Sequence, residues 1–128
     1  SKIKIPIIYD GVVDLTDFYA TFSDILNVSN ESDGESLMNI FSGNKKYIRE
    51  TVTIYYDPKW STNVSKYRNV FSQDTNYKLY QNGDFFDMKN DILEDSPISD
   101  EFLTKKQRLA KEKLSKELSK FPTLPNIN

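Results

Sequence analysis

The 128 residues include neither cysteine nor histidine. This removes thiolate nucleophiles, imidazole bases and most transition-metal sites. Any hydrolytic chemistry performed by this chain alone would rest on carboxylates, lysines and hydroxyls. Asp14, Asp17 and Asp24 invite a metal reading, but Asp14 and Asp17 fall where a helix N-cap and the helix dipole already account for them. What remains is binding chemistry, carried by aromatic rings beside cations. Tyr56, Lys59 and Trp60 stand in a loop of small polar residues that runs on to Lys66, with Arg68 just beyond and Lys78 further along. Trp60, the single tryptophan, either anchors this loop by packing or offers a stacking face to a ligand ring. A second concentration comprises Lys105, Lys106, Arg108, Lys111, Lys113, Lys116 and Lys120, offset by Glu112 and Glu117. It suits either a phosphate-tracking surface or the solvated side of an amphipathic helix. The lack of interleaved glycine or aromatic residues, and the acidity of the remainder, favour the solvated side.

The elements that must position these residues are short. Glu50–Tyr56, Tyr67–Phe71, Asn76–Tyr80 and Gly83–Met88 are runs rich in β-branched and aromatic residues, separated by turn formers, and predict an antiparallel meander. Val52, Ile54 and Tyr56 alternate with Thr51, Thr53 and Tyr55, giving a core face and a more polar one. In the next strands Tyr67, Phe71, Tyr77 and Leu79 share one parity, leaving Arg68, Lys78 and Tyr80 on the other. The stretch 81–84 reads as a hairpin loop.

Ahead of the meander, residues 3–9 suit an edge strand interrupted by Pro6. Leu15, Phe18, Tyr19, Phe22, Ile25 and Leu26 recur at helical spacing, with Asp14 or Thr16 as N-cap. A short helix over Ser36–Phe41 closes at Gly43, and residues 44–49 form a charged connector. After it, Pro97 and Ser99 introduce a final helix with Asp100 and Glu101 in its first turn. Phe102, Leu103, Leu109, Ala110, Leu114, Leu118 and Phe121 form its apolar stripe, and Pro122 ends it.

The fold class expected is therefore α+β: a small four-stranded antiparallel sheet packed by a long C-terminal helix and preceded by one or two helices. Hydrophobic content of 38% against 28% charged residues suits a globular chain, and no apolar run reaches the roughly 18 residues of a membrane span. A net charge of −2 gives no general attraction to nucleic acid or anionic lipid. The lack of disulfides does not settle the compartment, since many exported bacterial proteins also lack them. The chain opens Ser1-Lys-Ile without methionine and reads as a piece of something longer.

Several stretches fall in an order that resembles the C-terminal part of the sulfatases, within the alkaline-phosphatase-like superfamily. Val13–Leu26 is similar to a family helix, with Ala20 in place of the usual proline before Thr21. Asp33-Gly-Glu-Ser-Leu37 resembles an Asp-Gly-x-Ser-Leu signature. Arg49-Glu50 followed by Ile54–Pro58 is similar to an aromatic-rich strand and loop. Tyr77-Lys-Leu-Tyr80 matches a Tyr-Lys-hydrophobic strand. Phe85–Glu94 resembles Leu/Phe-Tyr-Asp-Leu-x-x-Asp-Pro-x-Glu, with Phe86 for tyrosine and Ile92 for proline. Where many members carry an arginine shortly before the Tyr-Lys pair, this chain has Gln73 and Asn76.

The resemblance implies residues 1–49 from the end of a catalytic-domain region and residues 50–128 as the sheet-plus-helix subdomain, together one compact unit. It implies a parent that hydrolyses sulfuric esters with calcium and a formylglycine made from Cys or Ser in a Cys/Ser-x-Pro/Ala-x-Arg motif. That motif does not occur here, so no catalytic or metal-binding residue is carried over and the chain alone is expected to be inert. Its partners would be the upstream catalytic domain and, through the parent, a sulfated small molecule or glycan, with no nucleic acid or membrane. Localisation would be periplasmic or secreted. Tyr56, Lys59, Trp60, Arg68 and Lys78 are the expected rim of the substrate pocket: Trp60 stacking on a ring, Lys59 attracting the anionic ester, and Arg68 and Lys78 either joining them or pairing with neighbouring strands. The alternative is a free-standing protein- or nucleic-acid-binding module that uses the basic C-terminal helix.

Overall fold

A computed structural model describes residues 8–29, 31–43, 49–60 and 63–125. The fold is α+β, with a four-stranded antiparallel sheet and a C-terminal helix lying on two of its strands. The chain divides into two compact units, residues 1–52 and 53–128. Most of the edge strand expected over 3–9, and most of the connector 44–49, lie outside the described residues.

In the first unit, α1 (Thr16–Leu26) and α2 (Met38–Phe41) are joined by polar contacts rather than by the expected apolar face. The buried side of α1 consists of Asp17, Ala20, Thr21 and Ser23, while Phe18, Tyr19, Phe22, Ile25 and Leu26 are exposed. Asp17 is fully buried and accepts from the Asp14 amide (2.7 Å), the Glu35 amide (2.8 Å) and the Arg49 guanidinium. Thr21 Oγ1 accepts from the Leu37 amide at 2.9 Å and Ser36 Oγ donates to Asp24 at 2.7 Å, so the loop before α2 is bonded to α1 along its length. A Cβ on Gly34 would stand 2.1 Å from the Thr16 carbonyl oxygen, so only glycine permits this close approach. The N-cap position of α1 is Leu15, one residue from either expected cap, although Asp14 Oδ1 still accepts from the Thr16 amide at 2.8 Å. Gly43, with φ +86°, closes α2 as expected.

The second unit holds all but the first residue of β1 (Val52–Tyr56), together with β2 (Lys59–Trp60), β3 (Asn63–Val64), β4 (Asn69–Gln73), β5 (Tyr77–Tyr80), β6 (Phe85–Asp87) and α3 (Lys105–Leu118). The sheet order is β1-β4-β5-β6, and β2 and β3 form a separate two-stranded hairpin. Asp74 Oδ1 accepts from the amides of Asn76 (2.8 Å) and Tyr77 (2.9 Å), closing the β4–β5 turn, while Gly83 at φ +99° allows the β5–β6 turn. These turns fix a register in which Phe71 faces Tyr80, Ser72 faces Leu79 and Gln73 faces Lys78. Phe71 therefore shares a face with Lys78 and Tyr80, not with Tyr77 and Leu79 as counting along the strands suggested. Parity within a strand says nothing about offset between strands; the turn decides it. Tyr67 precedes β4 and takes no part in either face.

Beneath α3 the core is Val70, Tyr77, Leu79 and Phe85 from the sheet with Leu103, Leu114 and Leu118. Tyr55 packs against it and stacks on Phe121 at 6.4 Å, and Thr53 Oγ1 donates to Ser72 Oγ at 3.0 Å, so the Thr53–Tyr55 side of β1 faces the helix. The final helix begins later than expected. Asp100–Phe102 is a separate 3-10 turn, and α3 starts at Lys105 because Thr104 and Gln107 form a capping box. Phe102 and Leu109, expected in the stripe, are exposed.

Candidate functional site

The aromatic and cationic residues after β1 are placed by the β2–β3 hairpin. Asp57-Pro58 ends β1, and β2 then returns on β3 with Lys59 opposite Val64 and Trp60 opposite Asn63. The base of the hairpin is closed where the Ser65 amide donates to the Pro58 carbonyl (3.4 Å) and the Arg68 amide to the Ser65 carbonyl (3.2 Å). Below it lies an ion pair in which Arg68 Nε approaches Asp57 Oδ1 to 3.1 Å, with only 8% and 9% of these side chains exposed. The approach is coulombic, since neither atom completes a directional hydrogen bond. Arg68 Nη1 donates to the Pro125 carbonyl at 3.0 Å, and Nη2 has no hydrogen-bond partner among the described residues.

Above this base the side chains face solvent. Trp60 is 79% exposed and Tyr67 72%, with Tyr56 half exposed. Trp60 therefore does not anchor its loop by burial. Lys59 extends outward 3.5 Å from the Asp57 carboxylate, and Lys66 Nζ lies 4.8 Å above the Tyr67 ring. Three aromatic faces and two ammonium groups thus project from a twelve-residue segment whose foot is pinned. Such a surface suits amphipathic rings bearing negative charge, stacking on the rings while the cations meet the anion.

The expected rim residues do not all meet there. Tyr56, Lys59 and Trp60 do, while Arg68 lies beneath them as a support. Lys78 stands opposite Gln73, five residues along β4 from Arg68 or roughly 17 Å away at strand rise. There it is engaged on every side. Its Nζ donates to Glu94 Oε1 at 2.7 Å and lies 4.0 Å from the centroid of Phe71 and 4.7 Å from that of Tyr80. Tyr80 donates its hydroxyl to the other Glu94 oxygen, and Phe86 meets Tyr80 edge-on at 5.9 Å. Burial alone would lower the Lys78 pKa, but the bonds to Glu94 and Tyr80 outweigh it and the net shift is upward. Burial, then the bond to Glu94, raises Tyr80. Glu94 makes both bonds from a left-handed backbone, φ +59°, rarely adopted outside glycine and asparagine.

Asp57, Lys66, Tyr67 and Glu94 were missed as contributors. Asp57 followed by proline signals the end of a strand, and nothing local shows that its carboxylate turns back to Arg68. Tyr67 looks like a strand residue by type. Among the described residues no group of three or more acidic side chains converges as a metal would require. Nor is any helix among them long and apolar enough to cross a membrane.

No protein-family model matches the chain, and no curated protein does. A solved structure of BT4656 in complex with its substrate D-glucosamine-2-N,6-O-disulfate does match, with a TM-score of 0.61 and 24% identity over 80% of this chain. The match covers 23% of BT4656, so the chain corresponds to about a quarter of that protein's length. At this identity the likeness establishes a shared fold.

Proposed function

We propose that this chain is the C-terminal part of a sulfate-ester hydrolase, inert alone, which stabilises the parent and edges its substrate pocket with the segment from Tyr56 to Tyr67. The observation that carries this reading is the fold shared with part of BT4656 across 80% of the chain. The five sulfatase-like stretches, in family order, point the same way. BT4656 takes a doubly sulfated glucosamine. By analogy, an exposed indole for the sugar ring and Lys59 and Lys66 for the sulfates give the segment its role, while Arg68 and Asp57 position it.

The outward face of α1 fits the same proposal. Phe18, Tyr19, Phe22, Ile25 and Leu26 form a contiguous exposed apolar surface, larger than a soluble helix ordinarily leaves uncovered. Its occupant would be the upstream catalytic domain of the same polypeptide. Calcium and formylglycine, which such a parent would use, find no fitting residues in this chain: there is no cysteine, and no acidic group among the described residues converges. No step of the reaction is assigned to it. Periplasmic or secreted localisation belongs to the proposal for the parent.

The test has two arms. The parent polypeptide should carry Cys/Ser-x-Pro/Ala-x-Arg within the few hundred residues before Ser1 and should release sulfate from a sulfated glucosamine. The 128-residue chain should show no aryl-sulfatase turnover with added calcium. A start codon a few residues before Ser1, or turnover by the chain itself, overturns the proposal.

A further inference from the structure

Beside α3, the turn between β5 and β6 leaves an open groove of about 780 Å³, within the range that holds small ligands. Its floor is Leu118 and Phe121, and its helical wall carries Ser115, Lys116 and Ser119. Arg108, Glu112, Ser115 and Ser119 follow one another at helical spacing, so the row passing Arg108 runs down into the groove over about 16 Å.

The cations along this wall differ in what they already do. Lys111 is committed, its Nζ 2.6 Å from Asp100 and 3.3 Å from the Gly83 carbonyl. Lys113 faces Asp74 at 3.6 Å and Lys120 is bonded to Glu117 at 2.5 Å. Lys116 and Arg108 are exposed, and neither side chain has a bonded partner among the described residues. Ser115 is likewise uncommitted, and Ser119 Oγ, which donates to the Lys116 carbonyl at 2.8 Å, keeps its lone pairs outward. The groove therefore offers one unpaired cation, Lys116, beside hydroxyls and a partly exposed aromatic floor, with Arg108 about two turns above it on the same helix and Glu112 between them.

We infer that this groove is a second, non-catalytic subsite for a sulfated glycan chain, with Arg108 and Lys116 pairing with its sulfate groups and Ser115 and Ser119 meeting its hydroxyls. The choice of glycan rests on the sulfate-ester reading above; the groove does not. Nucleic acid fits less well, because bases need several stacking rings and Phe121 alone presents one here; Tyr80 also lines the groove but turns its ring to the opposite sheet face, toward Lys78 and Glu94.

The test is calorimetric titration of the 128-residue chain with a fully sulfated heparin octasaccharide, its desulfated counterpart, and a single-stranded DNA octamer. Only the sulfated sugar should bind well, and its affinity should fall as salt rises. Arg108→Gln combined with Lys116→Gln should weaken binding about tenfold, near the upper limit for two exposed ion pairs. Ser115→Trp, which fills the groove, should abolish binding there, while Lys89→Gln, at an exposed lysine outside both the groove and the hairpin, should leave it unchanged. Both helix positions in the double variant are exposed, so it tests the inference even should Ser115→Trp fold poorly. Unchanged affinity in the double variant, loss in Lys89→Gln, equal binding of the desulfated sugar, tighter binding of DNA, or no binding of the sulfated sugar each overturns it. A chain that binds as expected while its parent releases no sulfate removes the hydrolase reading and leaves this subsite standing.

Discussion

Arg68 and Asp57 meet beneath the β2–β3 hairpin at 3.1 Å, nine-tenths buried, in a contact that attracts without completing a hydrogen bond. Their burial makes the pair asymmetric under mutation. Removing either partner leaves a buried charge with nothing opposite it, so Asp57→Ala should cost about 3 kcal/mol of stability in urea unfolding. Replacing both, with Arg68→Met and Asp57→Ala together, should cost less than the sum of the single changes. Additive losses would mean that the two side chains act separately and that the hairpin is held some other way.

Asp17 is the corresponding point of failure in the first unit. It binds two backbone amides and the Arg49 guanidinium from a fully buried position, and nothing apolar stands in for it. Asp17→Ala strands those donors and should destabilise this unit by roughly 3 kcal/mol. Hydrogen exchange resolves the effect by region: amides of Thr21 and Leu37 should lose protection while those of β4 and β5 keep theirs. Uniform loss of protection would show that the two units unfold together.

The Glu94 cluster predicts an alkaline limit. Folding raises Lys78 above 10.5 and Tyr80 above 10.0, in both cases against burial or because of it and through bonds with Glu94. A raised pKa means that the folded state holds the proton more tightly. The stabilisation is then complete below the unfolded values and is lost as pH climbs through the folded ones. Melting temperature should therefore change little through this cluster up to about pH 10 and fall beyond it. In Glu94→Gln the ammonium keeps its burial and loses its counter-charge, so the decline should begin at lower pH. Identical profiles for the two proteins would leave Glu94 without the role its geometry gives it.

How much of this was legible in the sequence follows from the range of the interactions. Period-two runs and turn formers are local, so the four strands, the 81–84 turn and the glycine closing α2 could be read directly. The capping box at Thr104 and Gln107 is also local, and it sets the start of the last helix at Lys105, beyond the Pro97–Ser99 stretch whose turn residues suggest an earlier start. Register, and with it the face of Phe71, depends on a turn closed by Asp74. The partners of the charged residues lie far along the chain: Asp17 with Arg49, Lys78 with Glu94, and Arg68 with the Pro125 carbonyl. Spacing rules do not reach such distances. Exposure was legible where it follows from loop position, at Lys59 and Trp60, and illegible at Lys78, whose type gives no hint that it lies within an aromatic cluster.

The apolar face of α1 makes a prediction about solution behaviour. Phe22 is 60% exposed, so Phe22→Ser should change stability by no more than about 0.5 kcal/mol. It should nonetheless reduce self-association of the 128-residue chain, because the uncovered surface has no other way to leave water. Sedimentation at increasing concentration compares the two. A parent chain carrying its upstream residues should show neither the association nor the effect of the substitution. A serine variant that melts far below the original protein would mean that Phe22 is packed, contrary to its exposure.

Trp60 provides its own assay, since it is the single tryptophan and stands 79% exposed. Its emission should be that of a water-exposed indole, readily quenched by iodide. In the parent, a sulfated glucosamine that stacks on it should shield it from iodide and shift the emission to shorter wavelength. Trp60→Ala should raise KM for that substrate by about fivefold, equivalent to the roughly 1 kcal/mol an aromatic stack contributes, with kcat preserved because the ring makes the same contact in the ground and transition states. A fall in kcat at constant KM would place the indole in the chemical step, and no change in either constant would remove the hairpin from the substrate pocket.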